Sequence, residues 1–221
     1  PVQEITVVDW NRKMKRKFTR EIKKELDRNG NLKGLSKHKL SRYYPNFQDL
    51  IDKSKFSGRQ IKLNDEQMKI FEQKVDEMMK DGRVSIVPDE LKNNPNAVGV
   101  FMPHFIVYGK NNGKPRLVAD AVHINTQIKL PPGRNNSRET IFGKVERGQA
   151  VFITTLDISG AYHACGYISY EEWERDCKKG PNDKYHYITF MHRGKQVKYD
   201  VLPFGICDAP QFFCNLMDEL I

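Results

Sequence analysis

The sequence predicts an α+β protein, with a basic helical extension over residues 1–60 and a mixed domain of helices and hairpins over residues 61–221. Two observations lead to this prediction. The net charge of +9 lies entirely in the extension, where sixteen Lys and Arg accompany seven Asp and Glu, whereas residues 61–221 hold twenty-one of each sign. From about residue 98, β-prone runs bounded by Gly-containing turns are interspersed with amphipathic helices.

The extension begins with a predicted helix that carries much of the positive charge. Asp9 is its candidate cap, and apolar residues recur at every fourth position from Trp10 to Leu26, until Asn29-Gly30 ends the helix. Its basic face suits contacts with nucleic-acid phosphates, and a solvated helix face explains the pattern equally well. The candidate phosphate-binding residues are Arg12, Lys13, Lys15, Arg16, Lys17 and Arg20.

Further helices are predicted on both sides of the boundary near residue 60, and one of them is suggested by Phe47, Leu50 and Ile51. A short helix containing Tyr43 is predicted to end before Pro45. A longer one begins at Asn64, which forms a capping box with Gln67, and ends at Gly82. Its predicted apolar face consists of Met68, Phe71, Val75, Met78 and Met79.

Residues 83–96 are predicted as a polar connector, after which the pattern turns to strands. Residues 100–108 and 116–120 form a predicted hairpin whose tip, residues 109–114, is basic and flanked by glycines. Such a tip suits closure on a triphosphate, and an ordinary exposed hairpin fits the same pattern. Residues 151–155 are a predicted buried strand, because they are β-branched and aromatic.

The last part of the chain continues the alternation of helices and strands. Ser169 and Glu172 form a second capping box, for a helix that runs to about Lys178. The other predicted elements are a helix over 139–147, strands over 185–191 and 195–201 joined at Arg193-Gly194, and an amphipathic helix over 211–220.

Composition excludes several classes of protein. No apolar run is long enough to span a membrane, and the first residues lack the basic start and apolar stretch of a secretory signal. The four cysteines have no zinc-ligand spacing, and the six histidines are scattered, so neither type predicts a metal site. We therefore expect reduced thiols in a cytoplasmic or nuclear protein that is not secreted and does not bind a membrane.

Asp157 is the main candidate for chemistry, because it stands near the end of the strand predicted over 151–155, and Gly160 opens a turn after it. Burial of a carboxylate is costly unless a cation neutralises it, and Mg²⁺ prefers oxygen ligands. Asp is also common in turns and helix caps after strands, so both interpretations stay open from this stretch alone.

Three stretches follow one another in a definite order. They are Lys114–Asp120 with Asn125, then Leu156-Asp157 with Tyr162-His163, then Leu202-Pro203-Phe204-Gly205 with Ala209-Pro210 and Phe213. Together, with a hairpin between the second and third, they resemble the fingers and palm of a reverse transcriptase of the retrovirus and LTR-retrotransposon type. The resemblance covers about residues 63–221, and Leu-Pro-Phe-Gly followed by Ala-Pro is its most specific part.

This resemblance implies a metal site and a nucleotide pocket. Asp157 would be the first catalytic carboxylate and would bind both Mg²⁺ ions, with help from the backbone carbonyl of Ile158. Ala161 and Tyr162 would line the nucleotide pocket, where the Tyr162 ring would crowd a ribose 2′-hydroxyl and favour deoxynucleotides. A core aromatic is the alternative interpretation of Tyr162.

The hairpin and the Leu-Pro-Phe-Gly stretch would supply the other contacts implied by the resemblance. Arg116 and Lys110 would lie on the triphosphate, with Lys114 as a competitor for the role of Lys110. The nucleotide and template side of the pocket would be lined by Phe204 and Gly205. Asp120, Asn125 and Pro203 would support the template and primer. The alternative interpretation is that Asp120 is a helix cap and Asn125 a turn residue.

The sequence also departs from the family pattern. Val122 stands where relatives usually carry Arg, and Ser159-Gly160-Ala161 stands before Tyr162 in place of the commoner Arg-Ser-Gly. An aromatic-x-Asp-Asp turn should follow the helix over 211–220, and the sequence ends before it. Because two metals need more than one carboxylate, we expect these residues alone not to polymerise, with a longer chain or a second polypeptide completing the palm.

The expected function is therefore that of the fingers and partial palm of an RNA-directed DNA polymerase. Its partners would be an RNA template, a DNA primer and a dNTP, and its cofactor Mg²⁺. The alternative is a catalytically inactive, reverse-transcriptase-like remnant that binds RNA or protein in a ribonucleoprotein assembly.

Overall fold

The computed structural model describes residues 41–47, 60–109, 113–130 and 161–220. The helices within these ranges are α1 (Asp65–Lys80), α2 (Asp89–Lys92), α3 (Val122–Asn125), α4 (Tyr170–Asp176) and α5 (Ala209–Leu220), with a 3₁₀ turn over Ala161–Ala164. The strands are β1 (Ser41–Tyr43), β2 (Val84–Ile86), β3 (Ala97–Phe101), β4 (His104–Gly109), β5 (Gly113–Ala119), β6 (Cys165–Tyr167), β7 (Tyr185–His192) and β8 (Lys195–Tyr199). The architecture is α+β, as the sequence predicts.

A mixed sheet with the strand order β2-β8-β7-β3 forms the centre of the described fold. β7 and β8 are an antiparallel hairpin, and β3 joins β7 in parallel, with Val100 opposite Ile188. The predicted turn at Arg193-Gly194 is confirmed, since both residues have positive φ angles, 47° and 72°. Positive φ at both central residues matches the twist that a two-residue hairpin needs.

α1 packs its apolar face onto this sheet and follows the sequence prediction closely. Both halves of the Asn64–Gln67 capping box are present, so local side-chain bonds fix where the helix begins. Phe71 and Val75 are buried, and the Phe71 ring lies 6.3 Å from that of Phe190, edge-on. Met68, in the first turn, is 39% exposed and so does not share the buried face as predicted.

The β4–β5 hairpin and α4 are also confirmed. β4 and β5 pair antiparallel, with Ile106 opposite Leu117, which confirms the predicted hairpin. Its bounds differ from the prediction, because residues 100–101 belong to β3 in the central sheet and β5 begins at Gly113. α4 begins at the predicted capping box of Ser169 and Glu172 and buries Trp173. These elements are specified by nearby residues, which explains why the sequence predicts them.

The prediction of a polar connector over residues 83–96 is wrong. This stretch contains β2, which pairs antiparallel with β8 and places Val84 opposite Tyr199, and the short helix α2. Val84 and Leu91 are buried. A strand of three residues is too short to show an alternating pattern, so its pairing with β8 defines it, not its own sequence.

The prediction of a helix containing Tyr43 is also wrong, because residues 41–43 form β1. This strand pairs in parallel with β6, with Tyr43 opposite Tyr167. Tyr43 is only 1% exposed and belongs to the same apolar core as α1 and the central sheet. Tertiary pairing therefore overrides the local helical pattern. The boundary near residue 60 stays a prediction, although residues 41–47 pack with the main domain.

Several predictions lie outside the described residues. They are the basic helix with Arg12, Lys13, Lys15, Arg16, Lys17 and Arg20, the helix over 139–147 and the strand over 151–155. In the part of the chain that the structure describes, none of the helices combines the length and apolar character of a membrane span. The cytoplasmic or nuclear location stays a prediction.

Candidate functional site

The loop over residues 202–208 connects β8 to α5 and presents one aromatic side chain. Its start is fixed to β6, because the Leu202 amide donates to the Cys165 carbonyl at 2.9 Å. Leu202 and Pro203 are buried, whereas Phe204 is 50% exposed. Pro203 therefore packs in the interior beneath the exposed Phe204. Its predicted contact with template or primer stays a prediction.

Two aromatic residues of the 3₁₀ turn lie against Phe204. The Phe204 ring centroid is 5.3 Å from that of Tyr162 and 4.6 Å from that of His163. On its other side, Tyr162 contacts Phe213 of α5 edge-on at 5.8 Å. Partial burial raises the pKa of the Tyr162 hydroxyl, so the phenol is neutral at physiological pH. Ala161, the first residue of this turn, is half-buried.

Asn125, the last residue of α3, is hydrogen-bonded to the same loop. Its Nδ2 donates to the Gly205 carbonyl at 2.9 Å, and its Oδ1 accepts from the Cys207 amide at 2.9 Å. Both ends of the amide are thus engaged inside the protein. The structure gives Asn125 a contact with the loop, and its predicted support of a template strand stays a prediction.

Gly205 is required where the loop passes α3. Its φ angle is +90°, in a region that side-chain-bearing residues rarely adopt. A Cβ atom there would lie 3.4 Å from the Ala121 Cβ and 3.5 Å from the Ala119 carbonyl oxygen, which are ordinary contact distances. The backbone conformation, and not a lack of space, therefore favours glycine at this position.

Asp120 and Arg116 belong to the hairpin side of the site. The Asp120 carboxylate accepts from the Val122 amide, two residues later, at 3.1 Å, which is the contact of an Asx turn just before α3. Arg116 is exposed on β5, opposite Val107 of β4. Successive side chains of a strand project to opposite faces, so Arg116 lies on the hairpin face away from Leu117.

A cleft of about 250 Å³ lies on the Leu117 side of the hairpin. It is lined by Leu117, Ala119, His163 and Phe204 from the stretches that carry the resemblance, and by Lys74, Glu77, Met78, Arg83, His104 and Tyr199 from other parts of the fold. Among the first four only Phe204 is a predicted site residue, and sequence reasoning missed the second group. No local signal points to it, because these residues come from separate elements that meet only in the fold.

His104 and Tyr199 are the polar pair at the base of this cleft. The His104 Nε2 lies 2.7 Å from the Tyr199 hydroxyl, and the His104 side chain is fully buried. Burial lowers the pKa of His104 from 6.5 to about 4, because a charged imidazolium is poorly solvated there. The ring is therefore neutral at physiological pH.

The predicted metal site is not part of this geometry. Asp157, Ile158 and Lys110 lie outside the described residues. Across residues 41–47, 60–109, 113–130 and 161–220, no group of three His, Cys, Asp or Glu residues could hold a metal ion. The carboxylate of Asp120 is bonded to the backbone, as is one oxygen of Asp208, so the Mg²⁺ prediction rests on Asp157 and Ile158.

Comparison with models of known protein families finds no match to this chain, and comparison with curated proteins also finds none. Its functional class must therefore be argued from the motifs and from the site geometry.

Proposed function

We propose that this protein is the fingers and part of the palm of an RNA-directed DNA polymerase, which adds deoxynucleotides to a DNA primer along an RNA template. One observation carries the proposal: three stretches far apart in the sequence meet at one loop. Asn125 bonds to Gly205 at 2.9 Å, and the Tyr162 ring lies 5.3 Å from that of Phe204. Because these are the stretches that carry the resemblance, their meeting supports a shared site over three unrelated matches.

The exposed ring of Phe204 suits contact with a base or a sugar. Aromatic faces stack on nucleobases without regard to sequence, as template-directed synthesis requires. The Tyr162 ring packs edge-on against Phe213, and this contact restricts the movement of the ring beside Phe204. A ring that is held in place can exclude a ribose 2′-hydroxyl sterically, which supports the proposed role of Tyr162.

Charged groups would complete the site. Asp157 and the Ile158 carbonyl would hold Mg²⁺, whose oxygen preference they fit, and bound Mg²⁺ supplies charge stabilisation to the phosphoryl group in transfer. Arg116 and Lys110 would bind the triphosphate by charge-assisted hydrogen bonds. Arg116 is exposed on the hairpin face away from Leu117 and does not line the cleft that contains Phe204, so its proposed contact with the triphosphate rests on the resemblance.

Primer extension tests the proposal. The assay uses these residues together with the longer chain or second polypeptide that completes the palm. This protein is incubated with an RNA template, a DNA primer, dNTPs and Mg²⁺, and extended primer is quantified. We expect Asp157→Asn to abolish extension, because the amide cannot replace the carboxylate charge. Asp89→Asn, at an ion-paired carboxylate whose side chain is 85% exposed, is the matched control and should leave extension unchanged. Synthesis at the wild-type rate by Asp157→Asn would refute the assignment.

The excess of basic residues over 1–60 favours a second candidate, an RNA-binding remnant without catalysis. It predicts RNA binding that survives Asp157→Asn. Replacement of Lys13, Lys15, Arg16 and Lys17 by Gln should weaken binding and flatten its dependence on salt concentration, because fewer counterions are released. Unchanged affinity after this neutralisation, measured by fluorescence anisotropy, would count against this candidate.

A further inference from the structure

Asp208 is a buried carboxylate at the end of the 202–208 loop, directly before α5. It is 5% exposed, and a buried carboxylate is costly unless its oxygens are satisfied. Its Oδ1 accepts from the hydroxyl of Tyr43, and its Oδ2 accepts from the backbone amide of Asn46 at 3.3 Å. Both donors come from a segment more than 160 residues earlier in the chain.

Tyr43 and Asn46 are themselves firmly placed. The Tyr43 ring lies 5.1 Å from that of Phe212 and 6.0 Å from that of Tyr167, edge-on in both cases. Asn46 accepts a hydrogen bond at its carbonyl from the Lys129 amide at 2.8 Å. The donors to Asp208 are therefore held by the core on one side and by the segment after α3 on the other.

The loop that carries Phe204 consequently has three attachments. Leu202 is hydrogen-bonded to β6, and Gly205 and Cys207 are hydrogen-bonded to Asn125. At the end of the loop, Asp208 is hydrogen-bonded to Tyr43. Phe204 lies between the first two attachments and is half exposed, and its ring is held by Tyr162 at 5.3 Å and His163 at 4.6 Å. The position of its backbone depends on the hydrogen bonds that attach the loop.

We propose that Asp208 is a positioning residue, which through Tyr43 and Asn46 ties the Phe204 loop to β1 and thereby fixes the aromatic surface of the site. It acts through the loop and does not itself contact a ligand. The effect on loop order needs only the described contacts, whereas the effect on nucleotide binding rests on the proposed function.

Three variants separate this role from general stability. Tyr43→Phe removes only the hydroxyl donor and keeps the ring contacts. Asp208→Asn removes the charge but keeps two contacts: its carbonyl oxygen can accept from the Asn46 amide, and its NH₂ group can donate to the Tyr43 oxygen, which leaves the Tyr43 hydroxyl proton without its acceptor. Thr189→Val is the matched control, since it removes a different buried hydroxyl bond, the 2.6 Å bond to the Val197 carbonyl in the central sheet.

Amide hydrogen exchange measures loop order directly. We expect Tyr43→Phe to speed exchange at Cys207 and Asn46 on the order of tenfold or more relative to sheet amides, as loss of a hydrogen bond to a charged group implies. Asp208→Asn should speed exchange less than Tyr43→Phe does, because two contacts remain while the charge is lost. Thr189→Val should leave exchange at Cys207 and Asn46 at the wild-type rate, although amides of the central sheet near Thr189 can exchange faster. Equal ratios in Tyr43→Phe and wild type would overturn the proposal.

Nucleotide affinity is the second measurement, with dGTP and Mg²⁺ in the presence of an RNA template and a DNA primer. We expect weaker dGTP binding in Tyr43→Phe and a smaller loss of affinity in Asp208→Asn. If wild type binds no dGTP while the loop still loosens in Tyr43→Phe, the proposed function fails and the positioning role stands. If Tyr43→Phe does not fold, Asp208→Ser carries the same exchange test, because its short side chain cannot reach both donors.

Discussion

The burial of His104 predicts a stability that depends on pH. Its imidazole is fully buried, with the ring centroid 4.4 Å from that of Phe190 and Nε2 2.7 Å from the Tyr199 hydroxyl. Burial lowers the pKa of His104 from 6.5 to about 4. The unfolded chain therefore binds a proton, between these two pH values, that the folded protein does not bind.

The sign and size of the effect follow from this difference in pKa. The contribution of His104 is fully present above pH 6.5, is lost as the pH falls, and is exhausted below about pH 4. A fully developed loss would be about 3 kcal/mol, and about 2 kcal/mol would be lost by pH 5. Because domains are stable by only about 5–15 kcal/mol, such a loss is readily measured.

Urea unfolding at pH 7 and pH 5 is the assay. His104→Gln removes the titrating group and places an amide near the position of Nε2, so Tyr199 keeps a partner. We expect wild type to lose about 2 kcal/mol more than His104→Gln between the two pH values. His123→Gln, on the exposed surface of α3, is the control and should behave as wild type. Equal losses in wild type and His104→Gln would refute the reasoning.

Three further predictions concern stability at neutral pH, each measured by urea unfolding. Asn64→Ala should cost about 1 kcal/mol, because it removes the oxygen that accepts from the Gln67 amide at 2.8 Å, and Asn64→Ser should restore most of it. Gly205→Ala should cost about 1–2 kcal/mol, because its φ is +90°, a backbone conformation that residues with a side chain adopt only with strain. Phe190→Ala should cost about 3–5 kcal/mol, since the ring is fully buried.

Controls and contrary outcomes differ among these variants. Gly180→Ala introduces a Cβ with no atom within 4 Å, so equal stabilities of Gly180→Ala and Gly205→Ala would contradict the account of Gly205. No recovery in Asn64→Ser would mean that the capping box does not stabilise α1. A loss below about 1 kcal/mol in Phe190→Ala would mean that the core collapses around the missing ring.

Features that depend on neighbouring residues were predictable from the sequence. The capping boxes at Asn64 and Ser169 each need one side chain to reach an amide three residues away, and both are present. The turn at Arg193-Gly194 and the strands of the β4–β5 hairpin follow from the same kind of local preference. For these elements, the residues that make the decisive contacts lie within one turn of helix or hairpin.

Short elements with distant partners were not predictable in this way. β1 and β2 have three residues each, and each is a strand because a partner more than 100 residues away supplies the hydrogen bonds. Tyr43 illustrates the limit: its local pattern predicts a helix, whereas its pairing with Tyr167 places it in a strand. Propensity is a weak preference that tertiary pairing overrides.

The sequence by itself determined which residues are candidates for the site, because the order of motifs selects Asn125, Tyr162, Phe204 and Gly205. Only the tertiary structure decided that both the NH₂ group and the oxygen of the Asn125 side chain form hydrogen bonds with the loop. It also decided that Asp208 accepts a hydrogen bond from a hydroxyl 165 residues away. The reason is physical: a cap or turn is set by local geometry, whereas a contact across such a separation forms only when the packed core brings the two segments together.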